Sequence, residues 1–320
     1  MTAHPSTPPT PGPTSAGSTV NPGRTVLLCG AQGFIGAALA QQLQAQGFNV
    51  VALSRRSVPA INFASMLHAA DWLPHLRGVD MVVNAVGSLR GQPGNARHAG
   101  APLAAIHTGA PKALFDACAQ AGVRRVLQLS ALGVEGNNTD YARTKRTADE
   151  HLLALTAQGQ LDGLVVRPSI VVGAGGASTQ LFLNLAKLPV LVLPAAMRQQ
   201  RIQPVAVADA ACAMVRLLLS PTTGTVPLGG PEQLSMAALI ASLRQQGGHT
   251  APRVLTLPRL ATTLSARLGD AVPTSPWCSA SLELASHDNC CDPAPLARWL
   301  GHAPVAPAQL LAAIRAEPGA

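Results

Sequence analysis

The sequence predicts an α/β fold, a doubly wound parallel sheet followed by a smaller C-terminal region, and three observations predict it. Short apolar runs at residues 26–29, 49–53, 81–83 and 126–129 alternate with stretches whose apolar residues recur at helical spacing. Three glycines, Gly30, Gly33 and Gly36, stand between the first run and the first helical stretch. Glycine also closes helical stretches at Gly47 and Gly122, where a chain leaving a helix needs it.

The first run, Val26 to Cys29, has the uninterrupted apolar character of a strand buried on both faces. Gly30 suits a tight turn, Gly33 lets backbone approach a pyrophosphate, and Gly36 lets the helix lie close to the strand. The free N–H groups of the helix that follows would point at phosphate oxygens. A bare glycine triplet fits a surface loop equally well. Here a strand precedes it and an apolar-faced helix, residues 34–43, follows, so the stretch predicts dinucleotide binding by Gly30, Gln32, Gly33, Phe34, Ile35 and Gly36.

The second strand, residues 49–53, runs into Ser54, Arg55 and Arg56, where a binder of NAD would carry an acid for the ribose 2′-hydroxyl. Two guanidinium groups suit a 2′-phosphate instead, which favours NADP(H) over NAD(H). The other reading is a solvated basic loop.

Composition narrows the function classes. A chain of 320 residues with 48% hydrophobic and 12% charged residues is globular. Its net charge of +8 is mostly arginine, scattered without a basic run and with few aromatics for base stacking, which argues against nucleic-acid binding. The cysteines, Cys29, Cys118, Cys212, Cys278, Cys290 and Cys291, lack regular spacing and fit a reducing compartment, the cytoplasm. Cys290 and Cys291 near His287 and Asp288 have no C-x-x-C beside them, so no metal is expected. Residues 1–23, rich in Pro, Ser and Thr, read as a disordered tail and not as a leader peptide. No stretch is long and apolar enough to span a membrane; residues 181–196 come nearest, broken by Asn184, Lys187, Pro189 and Pro194.

Further along, residues 61–75 read as helical or irregular. The third strand then runs into Asn84, Ala85, Val86 and Gly87, small residues that would let a strand end approach a flat ring; Asn84 could equally cap backbone. Residues 88–100 read as a loop and 107–121 as a helix, with Arg124 and Arg125 just outside the strand at 126–129. That strand delivers Ser130 to the carboxyl edge of the sheet. Tyr141 and Lys145 follow on a helix, one turn apart on one face. Tyr141 is the only tyrosine and Lys145 one of three lysines. A phenol with a pKa of roughly 10 beside an ammonium would favour its ionised form, so the pair could exchange a proton near neutral pH.

The glycine triplet, the strand end at Asn84 to Gly87, Ser130 and the Tyr141-x-x-x-Lys145 pair together resemble the short-chain dehydrogenase/reductase superfamily. The strand around Arg167, Pro168, Ser169, Ile170 and Gly173 is similar to the R-P-x-x-V-x-G segment of its extended, epimerase-like branch. Residues 203–209, with Asp209 opening a helix, are similar to the segment that returns to the sheet. The closest flavour is the atypical group near the NAD(P)H-binding accessory subunit of respiratory complex I. The resemblance implies a Rossmann domain with Tyr141 as general acid or base, Lys145 orienting the nicotinamide ribose and lowering the tyrosine pKa, and Ser130 bonding the substrate oxygen. Pro168, Ser169 and Ile170 join the cofactor contacts. Extended members carry hydroxyl residues followed by V-Y-G, whereas this chain reads Ser130-Ala131-Leu132-Gly133-Val134; the alternative alignment puts Ala131 at the serine position and leaves that role vacant.

The expected division is a tail at 1–23, a nucleotide-binding domain at 24–173 and a substrate-binding region at 174–320, with about 203–219 returning to the sheet. A lid at 178–201, rich in Leu, Val, Ala and Pro, suits a hydrophobic carbonyl or alcohol, while Arg198 and Arg201 would suit a nucleotide-sugar pyrophosphate or simply face solvent. Strands near 225–228 and 254–257 and helices at 236–245 and 307–316 complete the chain. An NADP(H)-dependent oxidoreductase acting on a small molecule is the leading expectation. The alternatives are a nucleotide-sugar epimerase or dehydratase and a non-catalytic NAD(P)H-binding sensor or assembly protein, as a homo-oligomer or at the edge of a larger complex.

Overall fold

A computed structural model describes residues 23–89, 102–272, 275 and 277–317. The expected tail, but for residue 23, and positions 90–100 of the expected loop lie outside the described residues. The central sheet contains β1 (Thr25–Cys29), β2 (Asn49–Leu53), β3 (Met81–Asn84), β4 (Arg125–Leu129), β5 (Asp162–Pro168) and β6 (Gly224–Leu228). They lie in the order β6-β5-β4-β3-β1-β2, and every neighbouring pair is parallel. The chain steps from β1 to β2 on one side and then crosses to β3 on the other. The carboxyl ends of β1 and β3 therefore border the crevice where ligands of such sheets bind.

Among the described residues seven helices reach ten residues: α1 (Phe34–Ala45), α2 (Ala110–Ala121), α3 (Asp140–Ala157), α4 (Ala177–Ala186), α5 (Val207–Leu219), α6 (Met236–Gln246) and α7 (Arg259–Asp270). The two-residue period of β1 divides its side chains between two layers. Val26 and Leu28 join a core with Leu39 and Leu43 of α1 and Ala210, Met214 and Leu217 of α5. Leu27 and Cys29 join another with Phe115 of α2, Leu152 of α3 and Trp72. Burial on both faces is why these strands read as continuous apolar runs.

Two local differences from the sequence reading have simple causes. Arg125 does not stand outside its strand but opens it, because its guanidinium donates to the carbonyls of Leu217, Leu218 and Thr222 and so ties β4 to the end of α5. The helix expected from 107 begins with a π-helical turn at Ala105–Gly109, which turns His107 inward before α2 starts.

Beyond β5 a third core joins Phe182 of α4, Leu239 and Leu243 of α6, Leu191 and Leu193, and the C-terminal helix Leu310–Ala316. A parallel pair of strands, Val190–Pro194 and Arg253–Leu257, flanks it. The helix α5 packs on α1 and against the sheet.

The β1 to α1 turn has no spare room. Gly30 adopts φ +83°, in the left-handed region, and a Cβ on Gly36 would lie 2.0 Å from the Gly30 carbonyl oxygen. Gly36→Ala should therefore force α1 away from the sheet and cost at least about 2 kcal/mol in chemical denaturation. A variant as stable as the parent would show that this contact does not set the spacing.

Candidate functional site

Two adjoining clefts open at the carboxyl edge of the sheet and share Gly33, Ala85, Gly87 and Ser88 in their walls. The smaller, about 160 Å³, is lined by Gly30, Gln32, Ser54, Arg55, Arg56 and Val86. The larger, about 540 Å³, takes in Phe34, Ile35, Gly36, Ser130, Ala131, Tyr141, Lys145, Pro168, Ser169 and Ile170. The turn between β1 and α1 thus separates a basic compartment from one holding the tyrosine and lysine. A dinucleotide laid across that turn would meet both, and Gly30, Gly33 and Gly36 leave space where any Cβ would intrude.

Asn84 departs from the expected cofactor contacts. It is buried in β3, its amide donates to Gln128 Oε1 at 2.7 Å and its Oδ1 accepts from the Val86 N–H at 3.2 Å, so it shapes the strand end and lines neither cleft. Ser169 lines the larger cleft, but its hydroxyl is taken, donating to Asn289 O and accepting from Gln203 N.

The catalytic candidates lie together, with different tasks from those expected. The Tyr141 hydroxyl opens to the larger cleft without a hydrogen bond from the described residues. Burial, joined by the negative charge of Asp149, pushes its pKa up to about 12 instead of down. The buried Lys145 ammonium donates to the Leu129 carbonyl at 2.7 Å. Burial lowers the Lys145 pKa to about 8, against the pull of Asp149. Ser130 is turned inward: its hydroxyl donates to Asp149 Oδ2 at 2.7 Å, so its proton is committed away from the cleft.

Asp149 was not singled out in the sequence, although it follows Tyr141 and Lys145 at the same four-residue spacing on α3. It is fully buried and also accepts from Arg167 Nε and Nη2, and Arg167 in turn reaches Glu135 at 2.6 Å. Burial raises its carboxyl pKa, while Ser130, Lys145 and Arg167 oppose that rise.

His107 was read only as the start of a helix, and nothing in its spacing marks it. Its Nε2 accepts from the Ser88 N–H at 3.0 Å, and its Nδ1 faces Thr144 Oγ1 at 3.2 Å. Thr144 spends its own proton on the Asp140 carbonyl, so the imidazole is the Nδ1–H tautomer. Its ring meets Tyr141 edge to face at 5.5 Å. Burial, helped by Lys145, lowers its pKa to about 3, so it stays neutral. Asn289, which the sequence does not mark, lies on the cleft wall with a buried Oδ1 that has no hydrogen-bond partner among the described residues.

Much of the rest of the large cleft is apolar, walled by Leu181, Phe182, Met197, Ile202, Met236 and Trp277, with Ser178, Gln200, Ser281 and His287 as its polar members. Arg198 and Arg201 lie outside it on the surface, where Arg198 bonds Thr256 and Arg201 reaches Gln233 at 3.4 Å. Among the described residues no group of three His, Cys, Asp or Glu side chains could hold a metal ion.

A parallel sheet with this glycine turn and a helical tyrosine–lysine pair at its carboxyl edge defines an NAD(P)-binding enzyme of the extended short-chain dehydrogenase/reductase class. The chain belongs to the NAD dependent epimerase/dehydratase family, whose family model matches residues 26–228. It is 30% identical over 179 residues to sterol demethylase protein B of Methylococcus capsulatus, covering 47% of this chain and 52% of that protein. It is 26% identical over 216 residues to ceramide reductase of Caulobacter vibrioides, covering 63% of each. The chain thus spans between about half and two thirds of these relatives. The structure of human epimerase family protein SDR39U1 with NADPH superposes with a TM-score of 0.67 at 17% identity, over 92% of this chain and 100% of that one.

A folded-state pKa near 3 for His107, against 6.5 when unfolded, means that the unfolded chain binds the extra proton between those values. This group's share of stability is complete above pH 6.5 and falls by about 1.4 kcal/mol per pH unit below it. Replacing it in His107→Gln, which keeps a donor and an acceptor but does not titrate, should flatten the acid limb of a stability–pH curve. An unchanged limb would show that His107 is not buried neutral.

Proposed function

We propose that the protein is an NADP(H)-dependent oxidoreductase that reduces the carbonyl of a lipophilic small molecule. The observation that carries the reading is a phenol held protonated, without a hydrogen bond from the described residues, between a dinucleotide-sized turn and a largely apolar cleft. A proton donor is what a carbonyl needs as its carbon accepts a hydride. Residues 174–317 supply most of the apolar wall, which fits a substrate-binding region, and two relatives whose names specify a sterol and a ceramide agree with a lipid-like substrate.

In this reading Gly30, Gly33 and Gly36 admit the pyrophosphate, Arg55 and Arg56 take the 2′-phosphate, and Ala85, Gly87 and Pro168 to Ile170 border the nicotinamide half. The reduced nicotinamide, when bound, supplies the hydride. Tyr141 gives its proton to the substrate oxygen, which completes the alcohol, and later regains one from water. Lys145, an ammonium at neutral pH, stabilises the phenolate formed in that step. Ser130 does not donate to substrate; with Arg167 it holds Asp149, which keeps Lys145 charged against its burial. The two arginines that would suit a nucleotide-sugar pyrophosphate, Arg198 and Arg201, lie outside the cleft.

Tyr141→Phe should lower the rate of NADPH oxidation by about 10²–10⁴-fold on responsive ketones or aldehydes and leave NADPH affinity within a few fold. Retained turnover would refute the assigned role. Arg55→Ala combined with Arg56→Ala should cost at least about tenfold in NADPH affinity while sparing NADH, read by nucleotide fluorescence. Because Lys145 loses its proton near 8, kcat/KM for reduction should fall as pH rises through that value. A rate that climbs there would assign the proton donor elsewhere.

A further inference from the structure

The helix α7 carries its leucines on the wrong side for a globular surface. Leu260, Leu264 and Leu268 repeat every four residues and are 88%, 60% and 65% exposed, whereas the small Thr262 and Ala266 take the buried face. An ordinary surface helix does the reverse. The apolar surface continues into the strand Arg253–Leu257, which runs into α7 through Pro258. Its exposed Leu255 stands in register with the exposed Val192. Contiguous exposed leucine and valine of this kind mark an interaction site.

The charges beside it are mostly positive. Arg253, Arg259 and Arg267 are exposed and form no ion pair among the described residues. The one acid of α7, Asp270, is engaged with the N–H and hydroxyl of Ser279. Leucines along one stripe with arginines along the next is the pattern of a helix lying in a lipid–water interface, where the arginines meet anionic headgroups. The helix also adjoins the large cleft: Trp277, in the cleft wall, donates its indole N–H to Ser265 of α7 at 3.2 Å.

We propose that α7 and the adjoining strand dock the protein on the surface of an anionic lipid bilayer, with the leucines in the interface and the arginines at the headgroups. The mouth of the cleft near Trp277 then stands close to the bilayer, so that a lipophilic carbonyl reaches Tyr141 without crossing open water. This docking rests on the reading of the cleft as a site for a lipophilic substrate and names where that substrate comes from.

The test is sedimentation of the full chain with vesicles of phosphatidylcholine alone and of phosphatidylcholine with about one third phosphatidylglycerol. The anionic vesicles should carry the protein down at low salt, the neutral ones several-fold less. The triple variant Leu260→Ser, Leu264→Ser, Leu268→Ser should lose at least about tenfold in vesicle affinity, with melting temperature and NADPH binding unchanged because these side chains are already in water. The pair Arg259→Gln and Arg267→Gln should lose the preference for anionic vesicles. No sedimentation with either vesicle would overturn the proposal, as would full vesicle binding by the triple variant. So would a dimer in light scattering that the triple variant dissociates while vesicles carry nothing down, since a second copy would then cover this face. None of these readouts needs turnover, so failure to oxidise NADPH would count against the proposed reaction and not against the docking.

Discussion

A single buried ammonium organises the candidate site. Lys145 is shut away from water, and a charge in that position must be compensated by its surroundings. The Leu129 carbonyl at the end of β4 takes one of its protons, and the carboxyl of Asp149, one turn further along α3, supplies the opposing charge. Asp149 in turn needs Ser130 and Arg167 to tolerate its own complete burial. The end of β4, one face of α3 and the guanidinium on β5 are therefore fixed relative to one another by one electrostatic requirement.

The same requirement reaches across the cleft. Buried, and with Lys145 nearby, His107 stays neutral, and as a neutral ring it can accept the Ser88 N–H that shapes the loop after β3. Its edge contact steadies Tyr141, whose phenol stays protonated under the combined effect of burial and Asp149. Proton donor, buried cation and cofactor loop are thus coupled through neighbours, none of which is exposed. The third core and its apolar cleft wall then decide what is brought to that donor.

What could be read from the sequence was local. The glycine triplet is legible because strand, turn and helix follow one another within a dozen residues, and the parallel sheet because its inner strands are buried on both faces. Tyr141 and Lys145 are legible because a helix brings residues four apart together. Asp149 obeys the same spacing and could have been found by extending it one more turn. His107 and Asn289 could not, since Ser88, Thr144 and Gly133 meet them only through folding, across 19 or more residues. Spacing also carries no information on desolvation. It placed the ammonium and the phenol side by side but missed that burial reverses the expected shift of the phenol, and it gave Asn84 and Ser130 to the ligand when each has a partner inside the protein.

Because Tyr141 is the only tyrosine, protein carrying ¹³C at the tyrosine ring carbon that bears the hydroxyl gives one unambiguous NMR resonance. At neutral pH that resonance should report a protonated phenol, and it should move on addition of NADPH and move again when an unreactive lipophilic alcohol is added. A resonance indifferent to NADPH at concentrations that saturate nucleotide binding would contradict the placement of the reaction at Tyr141.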